Sequence, residues 1–309
     1  MKRYFNLAYF LFLILFVSCG GGRSGTLFQV KHFNIHNLDD LYHFLTYRDD
    51  RYPLISAHRG GPESGYPENA IETFSNSTSR QAIIIECDIA MTKDSVLVLM
   101  HDDKLDRTTT GKGLLQSFTL PELKKLYLKD NAGKQTEFRI PLLDEVLQWG
   151  KGRVIFTLDV KRGVPFSRVI EVIRRNNAPF CSVIITYNAN QAAEVHRLAP
   201  DLLISASIHT TDDLERLNEY GVPDNRLLAF VGTSEPEPQV YKRLHDHGIL
   251  CILGTLGNLD NQAIRRGDEL YYDMIGRGAD ILSTDRPVEA GKQLQQYRRD
   301  KKIRNDYVQ

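Results

Sequence analysis

Ile83-Ile84-Ile85-Glu86-Cys87-Asp88 is a short apolar run that ends in two carboxylates. An apolar run of this length, rich in β-branched residues, predicts a β-strand. Side chains alternate between the two faces of a strand, so Glu86 and Asp88 point to one side and Cys87 to the other. The run therefore predicts a strand that presents two carboxylates together at its carboxyl end.

Histidines follow two similar runs on either side of this strand. His58, with Arg59 directly after it, follows the apolar residues 54–57, and His101 follows residues 96–100. Barrel enzymes keep their catalytic groups at the carboxyl ends of their strands. We therefore expect the histidines and the two carboxylates to meet at one site.

Strand-like and helical stretches alternate along the rest of the chain. Eight segments have strand character: residues 54–58, 83–89, 153–160, 182–187, 202–208, 227–231, 249–253 and 280–283. Apolar residues at helical spacing occupy the stretches between them: residues 165–176, 190–198, 211–220, 236–247 and 261–276. Regular alternation predicts an α/β protein with a parallel sheet, and eight repeats predict a closed (β/α)8 TIM barrel.

A hairpin and a loop-rich insertion interrupt the barrel pattern near the expected site. Residues 96–100 are predicted to form the second arm of a hairpin, which brings His101 back beside Glu86 and Asp88. Residues 102–142 contain only one helical patch, over 121–128. We expect this segment to be an insertion at the catalytic rim rather than a separate domain.

Composition limits the classes of partner. The chain has 309 residues, with 39 basic and 39 acidic side chains, so its formal net charge is zero. Nucleic-acid-binding proteins usually carry a basic excess, and such a partner is therefore not expected. Three cysteines, Cys87, Cys181 and Cys251, lie in or beside strand-like runs and are expected to be buried thiols.

The first residues have the pattern of an export signal. Lys2 and Arg3 precede an apolar stretch over 4–17, which is too short for a typical membrane span. Its end, Leu-Phe-Val-Ser-Cys19, resembles the lipobox of bacterial lipoproteins, and a Gly/Ser-rich stretch follows. We expect a lipoprotein signal peptide over 1–18, a lipidated tether over 19–26 beginning at Cys19, and a barrel over 27–309. The protein would then be exported and anchored to a bacterial membrane, on its periplasmic or surface face, through lipid only; the alternative is a plain signal peptide.

Six motifs in series carry a resemblance to a known family. They are ISAHRG (55–60), PEN (67–69), ECD (86–88), HD (101–102), LDRTT (105–109) and STDRP (283–287). In this order the motifs resemble those of the glycerophosphodiester phosphodiesterase family. Together with the lipobox-like end, they resemble a bacterial lipoprotein-like member of that family. The resemblance implies a TIM barrel, one divalent cation, and hydrolysis of small glycerophosphodiesters to glycerol 3-phosphate and an alcohol.

The residue types suit this chemistry. Glu86 and Asp88 are hard oxygen ligands for Mg²⁺ or Ca²⁺, and Arg59 offers a planar fork of donors to phosphate oxygens. His58 and His101 are expected to share the general acid and general base roles, because histidine exchanges protons near neutral pH. The resemblance implies that the neighbouring glycerol hydroxyl attacks phosphorus, which gives a cyclic phosphate that water then opens.

The sequence departs from the family pattern at the next strand. The family commonly has Glu-x-Lys there, whereas this chain has Asp159-Val160-Lys161. Asp159 is expected to be the third metal ligand, and Lys161, on the same strand face, a phosphate contact. An acidic set of Glu, Asp and Asp is similar to that of the sphingomyelinase D type phospholipases, so phospholipase D-like cleavage of a phospholipid headgroup remains an alternative.

A second departure concerns the wall of the pocket. The family often has Trp-Thr-Val-Asn near the penultimate strand, where this chain has Gly254-Thr255-Leu256-Gly257-Asn258. Tyr187 either replaces that aromatic face or simply packs. Glu68 and Asn69 either cap the following helix or shape the site. Because the sequence departs from the family pattern at Asp159 and Gly254, a second alternative stays open. In that alternative the protein is a lipoprotein that binds phosphodiesters without hydrolysing them.

Overall fold

A computed structural model describes residues 31–309 of the chain. Its sheet contains nine strands: β1 (Leu54–Ala57), β2 (Ile84–Met91), β3 (Leu97–Leu99), β4 (Ile155–Val160), β5 (Ser182–Thr186), β6 (Leu203–Ser207), β7 (Leu227–Phe230), β8 (Cys251–Gly254) and β9 (Ile281–Thr284). All except β3 are parallel, and β1 pairs with both β2 and β9, which closes the barrel. β3 runs antiparallel to β2 as the second arm of the expected hairpin.

Helices lie between the strands along the chain, so the predicted (β/α)8 TIM barrel is confirmed. They are α1 (Leu38–Phe44), α2 (Ile71–Thr78), α3 (Leu120–Leu123), α4 (Leu143–Gly150), α5 (Phe166–Arg175), α6 (Ala189–Leu198), α7 (Thr211–Glu219), α8 (Pro238–Asp246), α9 (Asn258–Arg266), α10 (Glu269–Arg277) and α11 (Pro287–Asp300). The single helix expected over 261–276 is wrong. Gly267 adopts a φ of +115°, which is outside the helical region, and it separates α9 from α10.

The barrel interior changes from apolar to polar along the strands. At their amino ends, Leu54, Ile84 and Ile155 belong to an apolar layer that α1 covers from below. Glu86 and Asp88 follow Ile84 at two-residue steps on the same face of β2. The alternate residues face outward and pack under the surrounding helices. One strand therefore contributes to the core and to the polar mouth.

The outer layer buries the thiols. Cys87, between the two carboxylates of β2, lies in the large apolar cluster that joins the strands to the helices. Cys181 and Cys251 are also free and buried, as the sequence predicts. Burial raises the pKa of the Cys87 thiol, so it is inert at neutral pH.

The insertion between β3 and α4 has a small apolar core of its own. Its buried members include Met100, Leu105, Leu115, Leu123 and Ile140. This core fixes the segment against the hairpin of β2 and β3, and His101 and Asp102 begin it.

Two expectations fall on the amino-terminal residues. The signal peptide over 1–18 and the tether that begins at Cys19 lie outside the described residues. Within residues 31–309, none of the helices combines the length and the hydropathy that crossing a bilayer requires.

Candidate active site

Three carboxylates meet at the mouth of the barrel. Glu86 and Asp88 come from β2, and Asp159 lies opposite Asp88 in the register of β4. Their carboxylate oxygens lie within 4.8 Å of one another, and all three residues are buried. Burial, followed by the charge of Asp88, raises the pKa of Glu86. Three buried acids repel one another unless positive charge is supplied.

Lys161 supplies part of that charge. Its Nζ lies 2.6 Å from Asp88 Oδ1 and 2.7 Å from Asp159 Oδ2. Burial would raise the pKa of Asp88, but Lys161 lowers it below its ordinary value. Lys161, which is expected from the sequence to contact phosphate, therefore acts as a counter-ion of the carboxylates in this structure.

Asn69 holds Asp88 in place. Its Nδ2 donates to Asp88 Oδ2 at 2.7 Å, and the backbone N–H of Asp88 donates to Asn69 Oδ1 at 3.0 Å. Asn69 is buried and has a φ of +58°, a left-handed conformation that Asn tolerates better than most residues. The N-cap of α2 is Ala70, which makes no side-chain cap. The side chain of Asn69 therefore positions Asp88 and does not cap the helix.

Two arginines converge on Glu68. Arg59 Nη1 donates to both Glu68 oxygens at 3.1 Å, and Arg107 donates to them from Nη1 and Nη2 at 2.8 Å. The backbone N–H of Arg59 donates to Glu86 Oε2 at 2.7 Å. Arg59 Nε is buried, 3.8 Å from Asp88 Oδ2, and makes no hydrogen bond within the described part of the chain. Arg59 therefore keeps one buried donor beside the carboxylates.

Each histidine is held by an aspartate. His58 Nδ1 is 2.7 Å from Asp285 Oδ1, and His101 Nδ1 is 2.7 Å from Asp102 Oδ1. Arg107 also binds Asp102, and this contact holds the pKa of Asp102 far below its usual value. Because both contacts use Nδ1, the Nε2 atom of each ring is left to exchange a proton.

The charges of the two histidines and of the acidic cluster influence one another. Burial alone would lower the pKa of His58, but the hydrogen bond to Asp285 and the charge of Glu86 raise it above 6.5. The charge of His101 in turn helps to lower the pKa of Asp88. Both histidines therefore act on the carboxylates that lie between them in the sequence.

Asp102, Arg107 and Asp285 were not singled out from the sequence. All three stand inside the motifs HD, LDRTT and STDRP, next to residues that received a role. Their position inside those motifs was the sequence signal that could have identified them as site residues. Asp285 reaches His58 because the barrel brings β1 and β9 together, whereas Asp102 and Arg107 bind each other within the insertion.

The wall of the mouth differs from the expectation at two positions. Tyr187 has an exposed ring, but its hydroxyl donates to Asp159 Oδ1 at 2.8 Å, so it positions a carboxylate. A β-carbon built on Gly254 would lie 3.0 Å from the ring of Phe230. The ring of Phe230, from β7, therefore lies beside Gly254 of the neighbouring strand β8. Near this end of β8 the family often has Trp.

The donor set suits a hard divalent cation. Glu86, Asp88 and Asp159 offer only carboxylate oxygens, which Mg²⁺ and Ca²⁺ prefer. A cavity of about 490 Å³ beside the cluster is lined in part by His58, Arg59 and Arg107. The site therefore has room for a small anionic substrate next to the residues that can hold a metal.

A second group of metal-ligand types lies elsewhere and is occupied by its own contacts. His245, Cys251 and Asp280 approach one another at the amino end of β9. Asp280 accepts hydrogen bonds from Arg51 and from the backbone of Cys251. The arginine charge already balances this acid, so the group is a structural ion pair.

Comparison with known proteins agrees with the geometry. The sequence profile of the glycerophosphoryl diester phosphodiesterase family matches residues 58–289. A glycerophosphodiester phosphodiesterase of Bacillus altitudinis is 28% identical over 250 residues, which are 77% of this chain and 96% of that protein. The crystal structure of a glycerophosphoryl diester phosphodiesterase from Parabacteroides distasonis is 36% identical, with a TM-score of 0.81, and the match covers 86% of this chain and 94% of that one.

A more distant structure shares the fold. An Oleispira antarctica phosphodiesterase, solved with its product sn-glycerol-3-phosphate, is 21% identical with a TM-score of 0.65, and the match covers 82% of this chain and 99% of that one. The family profile covers most of the chain, including both histidines and the three carboxylates. The chain therefore belongs to the glycerophosphoryl diester phosphodiesterase family and is a phosphoric diester hydrolase.

Proposed function

We propose that the protein hydrolyses glycerophosphodiesters, such as glycerophosphocholine, to glycerol 3-phosphate and an alcohol with a divalent cation. One observation carries the proposal: a buried cluster of three carboxylates shares a mouth with two histidines that aspartates hold and with an arginine whose Nε has no hydrogen-bond partner among residues 31–309. Membership of the phosphodiesterase family supports the same substrate class.

Glu86, Asp88 and Asp159 would hold the cation, which is Mg²⁺ or Ca²⁺ in this proposal. When bound, it neutralises charge on a phosphate oxygen and makes phosphorus accessible to a nucleophile. Arg59 would donate from Nε and Lys161 from Nζ to the other phosphate oxygens. Glu68, pinned between two arginines, keeps the guanidinium of Arg59 in position.

His58 and His101 would transfer the protons. One removes the proton of the glycerol hydroxyl that neighbours the phosphoester, and this oxygen then bonds to phosphorus. The other protonates the oxygen of the departing alcohol as its bond to phosphorus breaks. Water opens the resulting cyclic phosphate, and the histidines exchange roles, which restores both protonation states.

Substitution of either histidine tests these roles. His58→Ala and His101→Ala are expected to lower kcat on glycerophosphocholine by about 10²–10⁴-fold, the usual contribution of general acid–base catalysis. His36→Ala, at an exposed position, is the matched control and should retain full turnover. EDTA should abolish turnover by the unmodified protein, and Mg²⁺ or Ca²⁺ should restore it.

Three outcomes would oppose the proposal. Near-normal turnover by a folded, metal-loaded histidine variant would remove the proton-transfer roles. Tight binding of phosphodiesters without product would indicate a binding protein. Release of a headgroup from intact phospholipid in preference to glycerophosphocholine would indicate phospholipase D-like cleavage.

We propose separately that the chain is exported and that Cys19 carries lipid. The apolar residues 4–17, the lipobox-like end and the Gly/Ser-rich stretch after Cys19 support this assignment. Metabolic labelling with a radioactive fatty acid should label the unmodified protein in the membrane fraction. Cys19→Ala should remain unlabelled, and equal labelling of both would refute the assignment.

A further inference from the structure

A groove on the flank of the barrel lies away from the carboxylates. It has a volume of about 720 Å³ and runs between α11, the amino ends of β1 and β2, and the carboxyl-terminal tail. Its walls include the apolar side chains of Tyr52, Ala82, Val288, Ile303 and Val308. The groove thus offers an apolar floor on a surface that the proposed hydrolysis does not use.

Positively charged side chains surround this floor. Six of them line the groove: Lys31, Lys292, Arg298, Arg299, Lys302 and Arg304. Within residues 31–309, none of the six forms an ion pair with a carboxylate. Arg80 also lines the groove and is paired with Glu63. With zero formal net charge on the whole chain, this concentration of positive charge is a local feature.

Arg298 is the most enclosed of these cations. Its Nη1 donates to the backbone oxygen of Pro53 at 2.7 Å, and its guanidinium lies 4.3 Å from the ring centre of Tyr52. Burial lowers its pKa, because no carboxylate of residues 31–309 pairs with it to offset the loss of water. A guanidinium fixed in this way is preorganised for an anion, which would supply the missing counter-charge.

We propose that this cationic groove binds the headgroups of anionic phospholipids at a bilayer surface. A phosphate would lie among the cations at the rim, and the glycerol and upper acyl carbons would lie on the apolar floor. Basic clusters beside a membrane gain affinity from the negative potential of anionic lipids.

The lipid proposed at Cys19 favours a bilayer as the occupant. Lys31, which lines the groove, lies 31 − 19 = 12 residues after Cys19. Twelve extended residues span at most about 40 Å. A lipid on Cys19 would therefore keep the groove near the membrane, and the two weak attachments would reinforce each other.

This orientation also concerns the catalytic mouth. Tyr52 and Ala82 of the groove precede β1 and β2, whereas Glu86 and Asp88 lie further along β2, at the polar mouth. With the groove on the bilayer, the mouth is not pressed against the membrane. Water-soluble diesters would then reach it from the aqueous side.

Vesicle binding tests the groove without the anchor. The whole chain carrying Cys19→Ala is mixed with vesicles of phosphatidylglycerol and phosphatidylcholine, or of phosphatidylcholine alone, and the bound fraction is measured by sedimentation. Residues 1–18 are the same in every variant, so they do not contribute to a difference between variants. We expect binding to be stronger on the anionic vesicles and to weaken as salt is raised.

Two triple variants with equal charge change separate the groove from general electrostatics. The groove variant carries Lys292→Gln, Lys302→Gln and Arg304→Gln, all at exposed positions. The control variant carries three exposed changes on α6, α7 and α9: Arg197→Gln, Arg216→Gln and Arg266→Gln. The groove variant should lose at least about ten-fold in partition onto anionic vesicles, while the control variant stays close to the parent.

The alternatives give different results. Equal partition of the two triple variants, or equal binding to both kinds of vesicle, would overturn the proposal. Release from anionic vesicles by excess inorganic phosphate, but not by chloride at the same ionic strength, would also overturn it, because a small-anion pocket would then explain the cations. Turnover of glycerophosphocholine is measured on each variant, so a failure of the proposed hydrolysis is seen independently of vesicle binding.

Discussion

At the scale of single residues, aspartates outside the carboxylate cluster set the orientation of the histidines. Asp285 follows β9 and reaches His58 at the end of β1, while Asp102 reaches its neighbour His101. An aspartate bound to Nδ1 selects the tautomer and steadies the ring. The pKa of His58 therefore depends on Asp285, a residue that need not touch substrate.

The pH profile tests the role of Asp285. Asp285→Asn removes a negative charge that raises the pKa of His58, so that pKa should fall. The limb of the kcat/KM profile that reports His58 should therefore move to lower pH, whichever proton role His58 has. The side chain of Asp285 is 50% exposed, so the fold should persist. An unchanged profile would exclude Asp285 as a positioning residue.

Tyr187 should contribute to metal affinity through Asp159. Tyr187→Phe removes the hydroxyl that donates to Asp159 Oδ1 and is expected to weaken Mg²⁺ binding by about 10-fold, as for other residues that orient a metal ligand. Isothermal titration calorimetry measures this affinity directly. Tyr220→Phe, on an exposed ring after α7, is the control and should bind like the parent. Equal affinity in the two variants would contradict the role of the hydroxyl.

At the scale of elements, the turn after β1 decides whether the site assembles. Arg59, Gly60 and Gly61 have φ values of +51°, +84° and +77° in succession. This left-handed turn directs the backbone N–H of Arg59 onto Glu86. A β-carbon on Gly60 would lie 2.2 Å from the ring of Phe74 in α2, so the turn also sets how closely α2 packs.

Gly60→Ala should be costly because of strain and overlap together. The left-handed backbone and the clash with Phe74 are expected to lower the free energy of unfolding by about 3 kcal/mol. Gly65→Ala is a matched control, because its φ is +79° but a β-carbon there meets nothing within 4 Å. That variant should lose about 1 kcal/mol. Urea unfolding followed by Trp149 fluorescence measures both, and equal losses would rule out the packing argument.

The elements were largely predictable from local pattern. The predicted run over residues 153–160, for example, contains the observed strand β4. It was predictable because apolar residues of β propensity cluster there between turn residues. The break between α9 and α10 was missed because apolar residues continue at helical spacing across Gly267. A glycine inside a helical pattern can continue the helix or end it, and only its backbone conformation distinguishes the two.

At the scale of the whole molecule, the charge cluster in the barrel should make stability depend on pH and on metal. Burial and the charge of Asp88 raise the pKa of Glu86, and the pKa of His58 is also raised. The folded, metal-free protein then holds more protons than the unfolded chain between the ordinary and the raised values. By linkage, its stability is greatest at the acidic end of this range and falls as pH rises through the raised values.

Thermal unfolding tests this linkage. The Tm of the metal-free protein should fall by a few degrees between about pH 5 and pH 8, and Mg²⁺ should raise the Tm most at the higher pH. Glu86→Gln should flatten the pH dependence of the metal-free protein and remove most of the effect of Mg²⁺. Arg175 lowers the pKa of Asp144. Carboxylates of this kind therefore lose their contribution to stability only at more acidic pH. A Tm that does not change with pH or with metal would refute the proposal that the charge cluster makes stability depend on both.

The sequence by itself determined the barrel and the residue types of the site, because strand periodicity and short motifs are local properties of the chain. The tertiary structure alone decided the partners: Asp285 reaches His58 across 227 positions, and Lys161 Nζ lies between Asp88 and Asp159. It also brought Arg80 together with residues of α11 and the tail at one groove. Such contacts depend on barrel closure, which sets distances between residues that no local pattern relates.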